Sequence, residues 1–391
     1  GIRDFCLSRG LGDVYKRQTI NGIPYNDSES QGTYWVNMPD FASSLESVQL
    51  QRGVGSSTNG SGAFGASLNM LTDNYSKKSS GEISNSGGSF NSRKNTVKFS
   101  TGLLNNHFEI AGRLSVLKSD GYIDRASSDL KSYFLQGTYV GKTTLLKALA
   151  FGGKEKTYQS WNGIDAATLE SNRTFNSAGM FTDQLGNIRF YDNETDNYQQ
   201  DHYQLHWNEK LSNKWSTNVG LNYTKGSGFF EQFKENEDAA DFNNLIADGS
   251  DVIVRRWLDN DFYGMVYSMH YSLNQKWEFA ANFVFSTGTP ATFYTGQYSV
   301  QGYVVPDAGS NARNNVRNPT YHRLDLSATY TRKKTKEFES CWVFSCYNAY
   351  NRRNPFSIYF STNYKDLGQN AAIRYSVIGS IIPAVSYNFK F

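Results

Sequence analysis

From about residue 79 to the C-terminus, apolar and polar residues alternate with a period of two, the mark of strands whose two faces meet different surroundings. In the stretch 107–116, Phe108, Ile110, Leu114 and Val116 share one face while Glu109, Arg113 and Ser115 share the other. Tyr203, Leu205 and Trp207 oppose Gln204 and His206, and Trp215, Val219, Leu221 and Tyr223 oppose Ser216, Asn218 and Asn222. The split recurs with Trp277, Phe279, Ala281, Phe283 and Phe285 against Glu278, Asn282 and Ser286, and again with Leu324, Leu326, Ala328 and Tyr330. The pattern predicts about twelve to fourteen strands.

Soluble sandwiches alternate in the same way, so three further features decide where the apolar face points. The strands run to about ten residues, the length a tilted strand needs to cross a hydrocarbon core. Trp207, Trp215, Trp277 and Trp342 stand at strand ends, where an interfacial girdle places amphipathic rings. Tight connections at 103–106, 140–143 and 210–214 interleave with long polar ones around 156–199, 226–257 and 287–318, the short-turn, long-loop asymmetry of outer-membrane barrels. The last strand places Val385, Tyr387, Phe389 and the terminal Phe391 opposite Ala384, Ser386, Asn388 and Lys390. Tyr387, Phe389 and Phe391 resemble the C-terminal signal read by the barrel-assembly machinery. The expected fold is all-β: a transmembrane antiparallel β-barrel in outer-membrane lipid.

Composition changes the picture in one respect. The mean hydropathy of −0.58 suits a soluble chain, but 26 Tyr, 26 Phe and 7 Trp among 391 residues do not. With no apolar run of roughly 18 residues a helical span is excluded, whereas a barrel strand shows apolar residues only at alternate positions. A net charge of +3 on scattered basic residues gives no reason to expect nucleic acid as a partner. Cys341 and Cys346 lie on opposite faces of one expected strand, roughly 16 Å apart, and do not bond to each other.

The chemistry-bearing motifs yield no enzyme and no cofactor. Gly137 to Thr144 imitates a phosphate loop but has three residues between its glycines instead of four, and no helix follows. His202 and His206 on a strand stand roughly 13 Å apart, too far for one metal ion, so they read as lumen-facing residues. Asp238, Asp241, Asp248 and Asp251 lack EF-hand spacing and read as solvated loop charge. Tyr158, Trp161, Tyr191 and Tyr198, set among Asn, Gln and Asp, are candidates for contact with an extracellular nutrient ligand, since aromatic planes beside amides suit sugars and chelates; outer loops of barrels are also aromatic and polar for their own sake.

Residues 1–18 show neither helical nor strand period. Their Cys6–Gln18 portion resembles a translated sequencing-adapter fragment, so this leader is set aside as non-native; no secretory signal peptide opens the chain. Residues 19–75 contain a strand at Val48–Leu50 ending in Arg52–Gly53, a Gly/Ser/Asn stretch with Gly60, Gly62 and Gly65, and then Asn69 and Thr72 before the first barrel strand. This arrangement resembles the C-terminal half of the plug domain of TonB-dependent outer-membrane receptors, especially the Bacteroidetes type, and the closing strands of residues 76–391 resemble their barrel. Glycines suit a plug that must turn tightly and approach a wall closely.

The resemblance implies energised uptake of a large scarce nutrient, such as a ferric chelate, cobalamin or an oligosaccharide, across the outer membrane of a Gram-negative bacterium, driven by the TonB complex. It also implies a barrel of twenty-two strands, against which this chain is incomplete and lacks the first half of the plug. An internal deletion joining an early to a late strand near residues 268–272 would account for the shortage. The rival readings are a non-energised porin or adhesin and a soluble all-β binding module.

Overall fold

The computed structural model describes residues 16–25, 33–52, 66–292, 297–300, 303–306, 314–335, 338–355, 357–362, 370–376 and 379–390. Four strands near the N-terminus, β1 (Lys16–Ile20), β2 (Ile23–Pro24), β3 (Leu45–Arg52) and β4 (Ala66–Thr72), form a small sheet in the order β2-β1-β4-β3. In it β1 runs parallel to β4, with Ile20 opposite Met70, and β3 runs antiparallel to β4. The border drawn at residue 18 falls inside β1. Two short 3-10 turns, Trp35–Asn37 and Phe41–Ser44, connect β2 to β3.

The remaining strands are β5 (Ser80–Gly88), β6 (Ser92–Ser100), β7 (Phe108–Ser119), β8 (Ser128–Val140), β9 (Thr144–Tyr158), the hairpin β10 (Met180–Thr182) and β11 (Ile188–Phe190), β12 (Thr195–Glu209), β13 (Trp215–Glu237), β14 (Ser250–Ser272) and β15 (Trp277–Ser286). After them come the short β16 (Pro290–Ala291), β17 (Gln297–Val300), β18 (Tyr303–Pro306) and β19 (Val316–Arg317), then β20 (Tyr321–Lys334), β21 (Glu339–Tyr347), the hairpin β22 (Ser357–Thr362) and β23 (Asn370–Tyr375), and β24 (Ile382–Lys390). Twelve of these make one antiparallel meander, in the order β5-β6-β7-β8-β9-β12-β13-β14-β15-β20-β21-β24. Among the described residues no helix is long and apolar enough to cross a membrane.

The connections alternate as the sequence implies. On one side lie the short links 101–107, 141–143, 210–214, 273–276 and 335–338; on the other lie the long 159–194, 238–249, 287–320 and 348–381, together with the short 89–91 and 120–127 near the first strands. One expectation fails in detail: most of 226–257 is strand, because β13 and β14 keep pairing from Trp215 opposite Tyr271 up to Lys234 opposite Val252. Phe229 against Trp257, with ring centroids 4.6 Å apart, supplies apolar cross-strand contact where β12 approaches its end, from which β13 and β14 run on. Tyr198 likewise belongs to β12 and not to a loop.

Alternation places the sheet's two faces as a membrane wall requires. Leu114 is 64% exposed while its neighbour Arg113 is 2% exposed, the inverse of a soluble protein. Phe108, Ile110, Leu221, Phe279, Leu326 and Val385 are exposed on the same outer face, whereas the greasy rows of a soluble sandwich would meet one another in a dry core. Two belts of rings bound this surface. Tyr203, Tyr223 and Tyr263 stack in a row at 6.0 and 4.9 Å, and near the short turns Trp215 stacks on Tyr271 at 4.3 Å while Trp277–Tyr330 and Trp342–Tyr387 meet at a tilt at 4.9 and 4.8 Å. Tyr223 lies eight residues from Trp215 along β13, or roughly 26 Å at strand rise, close to the height of the lipid-facing band of a barrel.

Candidate functional site

The small sheet and its 3-10 turns lie against the inner face of β6 to β9, β12 and β13. Ile20, Met38, Phe41 and Met70 contribute one side of a buried cluster, and Phe134, Leu149 and Phe151 on β8 and β9 contribute the other. The Phe41 ring sits 5.0 Å from Phe151 and 6.3 Å edge-on from Phe134. Gly153 continues the Phe151 row: a Cβ there would meet Pro39 Cδ at 2.4 Å and the Asn37 carbonyl oxygen at 2.6 Å, so only glycine admits this approach. His202 is fully buried, stacks at 4.8 Å on Phe151 and lies 2.9 Å from Thr224 Oγ1 through Nδ1.

A charged group closes the same interface. Asp40, in left-handed backbone conformation at φ 56°, presents a carboxylate to the wall that is met by Arg113 at 3.2 Å, by the Lys94 ammonium, by the Ser115 hydroxyl at 2.6 Å and by the Thr96 hydroxyl at 2.9 Å. The Arg113 and Asp40 side chains are 1% and 4% exposed. Arg113 also donates to Ser44 at 2.8 Å and to Ser132 at 3.2 Å, so its guanidinium is shared between wall and small sheet. Burial alone would raise the Asp40 carboxyl; hydrogen bonds from Lys94, Ser115, Ser43 and Thr96 prevail and hold it well below the usual carboxylate range. Lys98 pairs with Asp73, and Lys147 donates to the Asp73 carbonyl at 2.9 Å.

Beyond the sheet's upper rim, residues 159–194 pack onto the extensions of β12 to β14. Glu231, 1% exposed, accepts from the Tyr191 hydroxyl at 2.6 Å, from Asn193 Nδ2 and from Arg255 at 2.5 Å. Burial would raise the Glu231 carboxyl, but these donors prevail and lower it. Burial first and the hydrogen bond to Glu231 second push the Tyr191 phenol up to about 12. The helix α1 (Ala166–Ser171) is capped by Asp165, which accepts from the Thr168 N–H at 2.7 Å. Among the described residues no group of three or more His, Cys, Asp or Glu side chains could hold a metal ion.

No protein-family model matches the chain, and no curated protein does. Solved structures do. The chain matches the ferric-catecholate import receptor Fiu from E. coli K12 in its closed form at TM-score 0.53 and 13% identity, over 96% of this chain and 55% of that one. It matches the pyoverdine outer-membrane receptor FpvA from Pseudomonas aeruginosa PAO1 at TM-score 0.55 and 14% identity, over 95% and 52% respectively. The fold is that of the TonB-dependent outer-membrane receptors. The copper transporter OprC shares it at TM-score 0.54 and 9% identity, over 96% and 53%. The chain spans about half the length of these receptors. In the terms of this fold the small sheet is the plug and the twelve-stranded sheet is barrel wall.

Of the plug-motif residues, Asn69 and Thr72 sit on β4 and tie it to β1. Asn69 accepts from the Thr19 hydroxyl at 2.8 Å, and the Thr72 N–H donates to Asn21 Oδ1 at 3.0 Å. Arg52 ends β3, while Gly53, Gly60, Gly62 and Gly65 lie outside the described residues. Among the four candidate aromatics, Tyr158 is the last residue of β9, and its hydroxyl lies 3.2 and 2.8 Å from the carbonyls of Ala178 and Tyr191. Tyr198 points into the lumen, over Gly226 and Gly228, and accepts from Asn260 Nδ2 at 3.1 Å. Trp161 is 58% exposed and meets Phe230 edge-on at 5.9 Å. Tyr387 and Phe389 share the outer face of β24; Phe391 lies outside the described residues. Asp40, Lys94 and Glu231 escaped the sequence reading. Asp40 carries no local signal, but a buried partner was implied by an arginine at position 113 on the wet face.

Proposed function

We propose that this chain is part of an outer-membrane receptor that takes up a large, scarce nutrient under energy coupling from the TonB complex. The plug held in the wall by Asp40, Arg113 and Lys94 supports this reading most directly. A plug fixed only by apolar burial would be a permanent stopper, whereas a cluster of charged hydrogen bonds has water to exchange with once a pull separates the partners. The ligand would be met on the long-loop side, where exposed Trp161 stands near the ordered shelf of Tyr191, Asn193 and Glu231. A ferric chelate is the substrate class favoured by likeness to receptors such as Fiu and FpvA; cobalamin and oligosaccharides are the other members of the class.

The proposed junction near residues 268–272 would leave the wall's parity intact, since β14 pairs in unbroken register with both neighbours there. Uninterrupted genomic coding sequence across that point would refute it. The uptake reading is tested with a strain deleted for the parent gene, grown on a panel of ferric chelates, copper, cobalamin and glycans, with and without TonB. Loss of growth on one nutrient, reproduced by removing TonB, is expected. Unchanged growth and unchanged nutrient accumulation across the panel would overturn it.

A further inference from the structure

β13 and β14 run on together past the tyrosine row, but β15 does not follow them. Its pairing with β14 ends at Gly264 opposite Ser286, while β14 extends up to Ser250. At the foot of this extension the Tyr263 N–H donates to Thr287 Oγ1 at 3.3 Å, and the Tyr263 carbonyl accepts from the Thr287 N–H at 3.0 Å. The peptide groups of Tyr263 therefore face the side on which β15 stops, and along a strand every second residue repeats that direction. Asp261 comes next, its carbonyl 3.5 Å from Arg317 Nη2. Above it the N–H and C=O groups of Asp259, Trp257, Arg255 and Ile253 point the same way, and among the described residues they have no partner. The result is an open sheet edge roughly 20 Å long, clear of the bilayer.

Little in the sequence blunts this edge. Native edges are guarded by proline, lysine or a bulge, yet residues 252–259 contain no proline, lysine or glycine, and the register shift of the β13–β14 ladder lies higher, between Lys234 and Glu237. Ile253 and Trp257 are 56% and 68% exposed on the outer face. On the lumen face Arg256 is exposed, lies over the Phe230 ring and forms no ion pair among the described residues.

We propose that residues 253–259 of β14 are a docking edge for a folded partner protein, which adds one of its own edge strands antiparallel to β14. Unspent backbone donors and acceptors at strand spacing complement another extended backbone. The neighbouring loop of this chain has its described strands paired among themselves, β16 with β19 and β17 with β18. A second copy in the same membrane would present β14 running parallel, so it does not extend an antiparallel ladder. A loose peptide would give up its backbone entropy for a single ladder, whereas a strand already held straight by its own fold loses little on docking. Side chains set the pattern of the partner strand: an apolar residue beside Ile253 and Trp257 on the outside, and a carboxylate against Arg256 on the inside.

The full chain in detergent micelles is titrated with a fluorescently labelled, disulfide-cyclised β-hairpin peptide whose free strand carries that pattern. The comparison probes are the same hairpin N-methylated on its edge-facing amides and a linear form without the disulfide. Saturable binding of the hairpin is expected, with the methylated and linear forms about tenfold weaker or worse. Asp259→Pro removes a free-edge N–H and leaves the β13 ladder intact, and should weaken the hairpin by a similar factor. No binding of the hairpin, or equal binding after methylation or in Asp259→Pro, overturns the assignment. Equal binding of the linear form makes the occupant a free peptide, and self-association of the chain that the hairpin does not displace makes it a second copy; either result overturns it as well. Should Asp259→Pro fail to fold, amide hydrogen exchange in the unaltered chain decides. The N–H groups of Ile253, Arg255 and Trp257 should exchange freely and become protected by the hairpin, while those of Val254 and Arg256 stay protected throughout. Protection of both sets in the free chain, or no change on adding the hairpin, refutes the proposal. Docking needs only that the β13–β14 hairpin stand above the bilayer, so it stands or falls separately from nutrient uptake.

Discussion

Two parts of one wall, built from the same alternating strands, differ in what their inner faces meet. Along β7 to β12 the inward row of Glu109, Arg113, Gln136, Phe151, His202 and Gln204 is buried under the plug. Along β24 the inward residues Ala384, Ser386 and Asn388 are as exposed as the outward ones. Alternation alone therefore specifies a wall. It is the contact with β1 to β4 that turns a merely wet face into one with fixed partners, and there a single buried charge has consequences that its counterpart on β24 cannot have.

Removing Asp40 should open the widest gap between the two parts. Asp40→Ala strands Arg113 in a site 1% exposed, a loss of about 3–5 kcal/mol, visible as a lowered urea midpoint and as new proteolysis within 33–52. Phe151→Ala comes next, at about 3 kcal/mol, with Phe41 and Phe134 left to close part of the hole; the same measurement without a fall in midpoint would mean that the plug does not rest on β9. Acidification acts on the same contact. Because the Asp40 carboxyl is held below its unfolded value, its contribution is fully present above the unfolded value near 4 and is lost as pH falls toward the lower folded one. The plug should therefore loosen only in that acid window, and Asp40→Asn should remove the dependence. Ser386→Ala and Asn388→Ala mark the other end, with shifts within about 0.5 kcal/mol; a larger loss would show that the β24 face is engaged after all.

The wall was legible because its signal is repeated: outward Phe108, Ile110 and Leu114 cannot be read in any register but one. The tryptophans at the strand ends followed from the same parity, whereas the row of Tyr203, Tyr223 and Tyr263 emerges only once the strands are paired. What lay beyond reach was set by distant partners. Tyr158 and Tyr191 carry the residue types of a ligand site, yet whether their hydroxyls are spent on Ala178, Tyr191 and Glu231 depends on how residues 159–194 fold back onto β13. The loop at 226–257 was misjudged because its Lys, Glu and Asn residues look solvated, as Glu235 and Asn236 are, although Glu231 is buried and Phe229, Phe233 and Trp257 carry the pairing onward. Asp40 could not be matched to Arg113 from spacing, since a contact across 73 positions leaves no periodic trace.

Gly153 marks a point of close approach between the small sheet and the wall. Pro39 and Asn37 stand there where a methyl group would go. Even an alanine at this position of β9 would press a methyl group into both residues, and the joint between the small sheet and the wall would have to open to admit it.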